Sequence, residues 1–283
     1  MISFIICSRG KDIPTLLREN IQSTIGCDYE LVIIDNTDNK YSIFQAYNKG
    51  VEQAKGDILC FAHDDVLFRE SSWGQTIVNH FQEDKQIGVI GFAGAHFLPS
   101  TPLYWYSSPF VSQRNLNNDQ GLVTEHFHEE WFGKNNIIEV AAVDGFCFFA
   151  RKDLFDKIAF DDKTYKGFHL YDMDICMQAI DSGNKVCVCR DVLAEHCWSE
   201  SKQFTKQGAD TFNDNLILFT HKWHKRLPIH KGLALPEELF KRINDLYMTG
   251  HQLNNIYQSK EYRISRFFLA PLKRLKAFIL HHR

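Results

Sequence analysis

An α/β fold, with a mostly parallel central sheet flanked by helices and a helical C-terminal extension, is what this 283-residue sequence predicts. Two observations predict it. Over the first hundred residues, short apolar runs of buried-strand length alternate with segments whose apolar residues recur at helical spacing. A β-α-β-α-β order of that kind calls for parallel strands with both sheet faces covered. From residue 204 onward the strand-like runs stop and only helical spacing remains. The expected division is therefore an α/β domain over 1–203 and a helical extension over 204–283.

Ile2 to Cys7 reads as a buried strand, and Ile13, Leu16, Leu17 and Ile21 as the helix after it. Leu31 to Ile34 is a second strand, ended by Asp35-Asn36. Ile43, Tyr47, Val51 and Ala54 mark a second helix, which Gly56 is expected to cap. Ile58 to Ala62 is a third strand, ended by His63-Asp64-Asp65. Ile77, Val78 and Phe81 predict a helix before a strand at Gly88 to Phe92. Residues 99–136 show no clean period and read as long loops around a site, with room for a short hairpin. Strands are expected at Ile137 to Val143, Val186 to Val188 and Val192 to Ala194. Lys152 to Ile158 is a short helix, and Tyr171 to Ser182 a stronger one stopped at Gly183. Phe212, Leu216 and Phe219 predict one late helix; Leu239, Ile243, Leu246 and Tyr247 predict another.

Composition narrows the function. A net charge of -3 gives no chain-wide basic field, so nucleic acid is not an expected partner. Eight cysteines occur with no C-x-x-C pair and several inside apolar runs, which reads as reduced thiols used as small hydrophobes in a reducing compartment. The first residues lack a basic leader and a long apolar core, so no export signal is expected. No run of about 18 apolar residues predicts a membrane-spanning helix. The expected location is the cytoplasm.

The chemistry should sit beyond the carboxyl ends of the parallel strands, where Ser8-Arg9, Asp35-Asn36 and His63-Asp64-Asp65 end three strands in polar groups. No glycine-rich phosphate loop follows the first strand. Asp35 either accepts from a nucleoside or caps the next turn. The Asp64-Asp65 pair, after an apolar strand, suits Mg2+ or Mn2+ bridging a diphosphate, against the plainer reading of an acidic turn. Asp172 and Asp174 open a helix but do not share a face, so one can serve as general base while the other caps or meets solvent. Asp144-Gly145 either holds a sugar hydroxyl at a close-approach glycine or is a plain turn. His196, before Cys197 and Trp198, is a candidate third metal ligand.

Together these residues resemble the family 2 glycosyltransferases of the GT-A fold. The order Ser8-Arg9, Asp35-Asn36, Ala46 to Gly56 and His63-Asp64-Asp65 is similar to that family's nucleotide-binding half, and Tyr171-Asp172-Met173-Asp174 to its base-carrying helix. The resemblance covers about the first two hundred residues. It implies a Rossmann-like GT-A core and an inverting, metal-dependent transfer from a nucleotide sugar. Donor-binding positions would be Ser8, Arg9, Asp35, Asn36, Asn48 and Asp64. Asp65 and His196 would hold Mn2+ or Mg2+, Asp172 would be the base, and Asp144, Gly145 and Trp198 would face the acceptor. The chain departs from the pattern twice: His63 stands at the first acid of the Asp-x-Asp metal motif, and Tyr171 at the Glu of the Glu-Asp base motif. A UDP-sugar is the first expectation for the donor, with a glycan or lipid-linked acceptor.

Residues 260–283 set Lys260, Arg263, Arg266, Lys273, Arg274, Lys276 and Arg283 mainly opposite an apolar face of Ile264, Phe267, Phe268, Leu272, Leu275 and Ile279. That pattern fits a helix lying on a membrane surface or one docked on the protein's own core. Two other functions share the expected fold: a sugar-phosphate nucleotidyltransferase, of whose basic glycine-rich loop Ser8-Arg9-Gly10-Lys11 is a faint version, and a catalytically silent nucleotide-sugar or glycan-binding protein.

Overall fold

A computed structural model describes residues 1–101, 108, 111–117, 122–126, 134–197, 206–234 and 236–258. The chain forms two compact units, Met1–Ala234 and Leu235–Arg283.

The first unit begins with the expected alternation: β1 (Ile2–Ser8), α1 (Thr15–Thr24), β2 (Tyr29–Asp35), α2 (Ile43–Gln53), β3 (Ile58–Ala62), β4 (Val66–Phe68), α3 (Trp73–Glu83) and β5 (Ile87–Gly91). Short strands follow: β6 (Ala93–Ala95), β7 (Phe97–Leu98), β8 (Val111–Asn117), β9 (Leu122–His126), β10 (Ile137–Val140), β11 (Ala142–Val143) and β12 (Cys147–Arg151). A 3-10 helix spans Lys152–Asp156. Then come α4 (Tyr171–Asp181), β13 (Lys185–Cys189), β14 (Ala194–His196), α5 (Lys206–Trp223) and β15 (Ile229–His230). The second unit contains α6 (Glu237–Gln258).

The main sheet has seven strands in the order β10-β13-β5-β12-β3-β1-β2. β1 pairs in parallel with β2 and β3, and β13 with β5. β12 runs antiparallel between β3 and β5, and β10 antiparallel to β13. Five strands therefore point one way, and their carboxyl ends share an edge.

Along β1 the side chains alternate between two cores, as the pleat requires. Ile2, Phe4 and Ile6 join Leu17, Ile21, Trp73, Ile77 and Phe81 on the α1/α3 face. Ile5 joins Phe44, Tyr47, Met173 and Phe219 on the α2/α4 face. The near-continuous apolar runs thus reflect burial on both faces. Phe68 stacks on Trp73 with ring centres 3.7 Å apart, tying β4 to α3.

The structure departs from the sequence reading in several places. The run Ile137 to Val143 is two strands: β10 belongs to the main sheet, while β11 belongs to a second sheet, β11-β6-β8-β14-β4 with β9 beside β8. At the break, the Ala141 N–H donates to the Ala95 carbonyl. The hairpin foreseen within 99–136 is β8–β9. Gly56 does not cap α2, since the capping position is Ala54, in extended conformation. Instead the Gly56 N–H donates to Ser3 Oγ at 2.7 Å, and a Cβ there would lie 2.6 Å from the Met1 carbonyl oxygen. The glycine admits α2's exit against β1. In α6 it is Phe240 that is buried, while Leu239 and Leu246 are exposed. Residues 260–283 lie outside the described residues, and among those described no helix is long and apolar enough to cross a membrane.

Candidate active site

β3 ends at Ala62, and His63-Asp64-Asp65 carries the chain from the main sheet into β4 of the second. β14 pairs antiparallel with β4, and its register sets His196 opposite Val66. The Cys197 N–H donates to the Asp65 carbonyl at 2.8 Å. Sheet pairing thus brings a histidine from residue 196 beside the rim of β3. His63 Nδ1 lies 3.4 Å from His196 Nε2, and His196 Nε2 lies 3.5 Å from Asp65 Oδ1. The three half-buried residues offer ligand atoms within 4.8 Å of one another. Contacts of 3.4–3.5 Å are long for hydrogen bonds to these groups. Two imidazole nitrogens and a carboxylate oxygen form a donor set that fits a divalent transition metal.

A second group, His80, Cys189 and Asp191, meets the same 4.8 Å spacing. There the geometry is that of direct hydrogen bonds. His80 Nε2 lies 2.9 Å from Asp191 Oδ1, the Cys189 thiol donates to Oδ1 at 3.0 Å, and Asn136 donates to Oδ2 at 3.0 Å. Burial pushes the Asp191 carboxyl up, but the bonds from His80 and Cys189 outweigh it and hold the group below its ordinary value. That cluster is a satisfied carboxylate joining α3 to the end of β13.

Tyr171, Asp172 and Asp174 open α4. Asp172 is 2% exposed; Oδ2 accepts the Gly145 N–H at 3.0 Å and Oδ1 the Met173 N–H at 2.9 Å. Burial, then the charge of Asp144, pushes its carboxyl up to about 7. Asp174 meets neither solvent nor a cap. It is buried and accepts from Tyr165 Oη, Trp223 Nε1, Lys222 Nζ and Gln178 Nε2 at 2.7–3.0 Å, docking α5 onto α4. Both carboxylates are inward because α4 is covered on nearly every side.

The remaining expected residues divide. Asp144 folds back to accept the Phe146 N–H at 2.8 Å. Gly145 does permit a close approach, but of Tyr171: a Cβ there would collide with the phenol hydroxyl. Ser8 is buried and braces its turn, donating to the Asp12 carbonyl and accepting the Gly10 N–H. Asn36 is bound to the Tyr41 backbone through both amide atoms. Asn48 is likewise bound to the Phe160 backbone, a strut between α2 and the loop before α4. Arg9 grips Asp64 bidentately at 2.6 and 3.0 Å while its side chain stays largely exposed. Asp35 lies level with Ser8 in the β1–β2 register. It accepts from the Thr37 hydroxyl at 2.6 Å and the Thr37 N–H at 3.0 Å, which hold its carboxyl below the usual value. Trp198 lies outside the described residues.

Three residues that sequence reasoning left without a role enter the site. His63 faces His196, and its Nε2 lies 2.9 Å from Tyr171 Oη. Tyr171 Oη also donates to the Gly145 carbonyl at 2.9 Å. Phe168, 47% exposed, stands with its ring centre 5.2 Å from that of His63. The signal for the first two was their placement at motif positions with altered chemistry; for Phe168 it was an aromatic just ahead of the Asp172 helix.

No curated protein matches the chain. Among solved structures, S. aureus TarS residues 1–349 in complex with UDP-GlcNAc is 14% identical at a TM-score of 0.53, over 93% of this chain and 77% of that one. GalNAc-T7 with UDP, GalNAc and Mn2+ is 13% identical at a TM-score of 0.51, over 72% of this chain. The present chain spans 44% of the GalNAc-T7 chain. At such identities the likeness establishes the fold, the GT-A architecture that the motifs resemble. A family model described as "Glycosyltransferase like family" matches residues 3–221, most of the first unit. The protein is therefore a member of this glycosyltransferase-like family.

Proposed function

We propose that the protein transfers a sugar from a uridine diphosphate donor to a hydroxyl of a glycan or lipid-linked acceptor, with inversion at the anomeric carbon. The observation that carries this reading is the gathering of His63, Asp65 and His196 at the sheet edge, linked through Tyr171 and Gly145 to the buried carboxyl of Asp172. The uridine assignment draws on the UDP held by TarS and GalNAc-T7. His63, Asp65 and His196 would hold the cation, and a set with two imidazoles favours Mn2+ over Mg2+, which prefers oxygen throughout. When bound, such a cation supplies positive charge beside a leaving diphosphate.

The chain's own groups do the rest. Asp172, with its carboxyl near pH 7, is poised to accept a proton from an acceptor hydroxyl at neutral pH. The Gly145 and Met173 N–H groups fix its orientation. The hydroxyl then attacks from the face opposite the nucleotide. Asp35 and Arg9, at the ends of β2 and β1, would meet the nucleoside and the diphosphate. Phe168 offers an apolar face for a sugar ring.

One observation favours a second reading, a catalytically silent nucleotide-sugar-binding protein: Asp172 is almost fully buried with both oxygens already accepting backbone N–H groups. Calorimetry with UDP-sugars, with and without Mn2+, followed by a UDP-release assay, separates the cases. Mn2+-dependent binding with UDP release supports the transferase, and binding without release supports the silent protein. Binding indifferent to Mn2+ removes the metal from the reading.

The basic, amphipathic pattern of residues 260–283 supports a peripheral membrane contact, which would suit a lipid-linked acceptor. Deleting 260–283 should abolish sedimentation with anionic liposomes. Unchanged sedimentation, or none for the full chain, would refute the contact.

A further inference from the structure

His63 and Tyr171 are 108 positions apart in sequence, yet their side chains meet. The Tyr171 hydroxyl has a single hydrogen and lies 2.9 Å from both the Gly145 carbonyl oxygen and His63 Nε2. A carbonyl oxygen can only accept. The hydroxyl hydrogen therefore goes to Gly145, and the phenol oxygen must accept a hydrogen from His63. In the neutral imidazole this places the proton on Nε2 and leaves the lone pair on Nδ1. Nδ1 is the atom that faces His196 Nε2 across 3.4 Å. Gly145 makes the chain of contacts possible, because any side chain there would displace the hydroxyl.

We infer that Tyr171 is a positioning residue: by accepting the Nε2 hydrogen of His63, it locks the tautomer that presents Nδ1 to the cation site shared with Asp65 and His196. The inference rests on the cation-binding reading of those three residues. It also joins the two motif departures, since the residue in place of an acid at 63 can act as a ligand only in one tautomer, and the residue in place of an acid at 171 selects it. Outer partners that fix a ligating imidazole in this way typically change metal affinity by about 10- to 100-fold when removed.

The test is nitrogen-15 NMR of the histidine side chains in the full-length protein without metal, at about pH 8, where an ordinary imidazole is neutral. The His63 signals are assigned by their loss in His63→Gln. The expected wild-type result is a protonated Nε2 and a bare Nδ1. Tyr171→Phe, which keeps the ring, should give a tautomer mixture and weaken Mn2+ binding about 10- to 100-fold by calorimetry. A wild-type His63 protonated at Nδ1, or unchanged Mn2+ affinity in Tyr171→Phe, would overturn the proposal. If Tyr171→Phe fails to fold, the wild-type spectrum alone still decides the tautomer. A wild-type protein with the Nε2–H tautomer but no Mn2+ affinity would instead refute the cation-binding reading, so the two failures are told apart.

Discussion

Among the described residues of the first unit lie two clusters of ligand-type side chains, and they are built on opposite principles. Around Asp191, hydrogens from Cys189 and Asn136 converge on one carboxylate, with His80 at 2.9 Å, a hydrogen-bonding distance. Around His196, the Nδ1 lone pair of His63 and the Asp65 carboxylate face one imidazole nitrogen at 3.4 and 3.5 Å. A single hydrogen on His196 Nε2 can serve only one of them, whereas a cation can serve all three. Spacing alone does not distinguish these sites; the direction of the donors does. The same contrast recurs on α4, where Asp174 accepts from four side chains and Asp172 is held by backbone N–H groups, those of Gly145 and Met173 among them.

The largest effect expected from this contrast is that of Asp65→Ala. It should abolish transfer and weaken Mn2+-dependent donor binding by more than the about 100-fold expected for an outer partner, read by calorimetry and UDP release. Asp172→Asn should lower kcat by about 10^2- to 10^4-fold and leave Mn2+-dependent donor binding intact. Near-normal turnover in both variants would erase the distinction between the clusters. Asp191→Ala should cost about 1–3 kcal/mol of stability by stranding buried donors, seen as a lower Tm, with Mn2+ affinity unchanged. Lost Mn2+ affinity there would make the second cluster a metal site after all.

The smallest effect concerns pH. A base with its carboxyl near 7 gives a rate that rises with pH through that value. Because folding raises this group from 3.8, its ionisation opposes the fold. The stability present below pH 3.8 is therefore lost as pH rises through about 7. Asp144→Asn removes the like charge that, after burial, raises the Asp172 carboxyl, so the acidic limb of the rate profile should move to lower pH. A limb that stays in place would assign the titration to another group.

Much of the fold was legible because β1, β3 and β5 are buried on both faces and are largely apolar, while the helices between the strands carry a 3.6-residue stripe. The antiparallel insertion of β12 was not legible. Cys147–Arg151 is as apolar as its parallel neighbours, and composition carries no strand direction. The two- and three-residue strands β4, β6, β7 and β11 are too short to show a period. Asn36 and Asn48 matched motif positions, but their amides complete loop and helix contacts.

By itself the sequence determined most of the strand and helix series, the polar groups ending β1, β2 and β3, and the pair of carboxylates at the start of α4, since periodicity and chain order are local properties. Only the tertiary structure decided that His196 meets Asp65, that His63 belongs with them, and that Tyr171 reaches His63. Those contacts depend on the β4–β14 register and on a glycine small enough to admit a phenol, and neither is written in the spacing of residues along the chain.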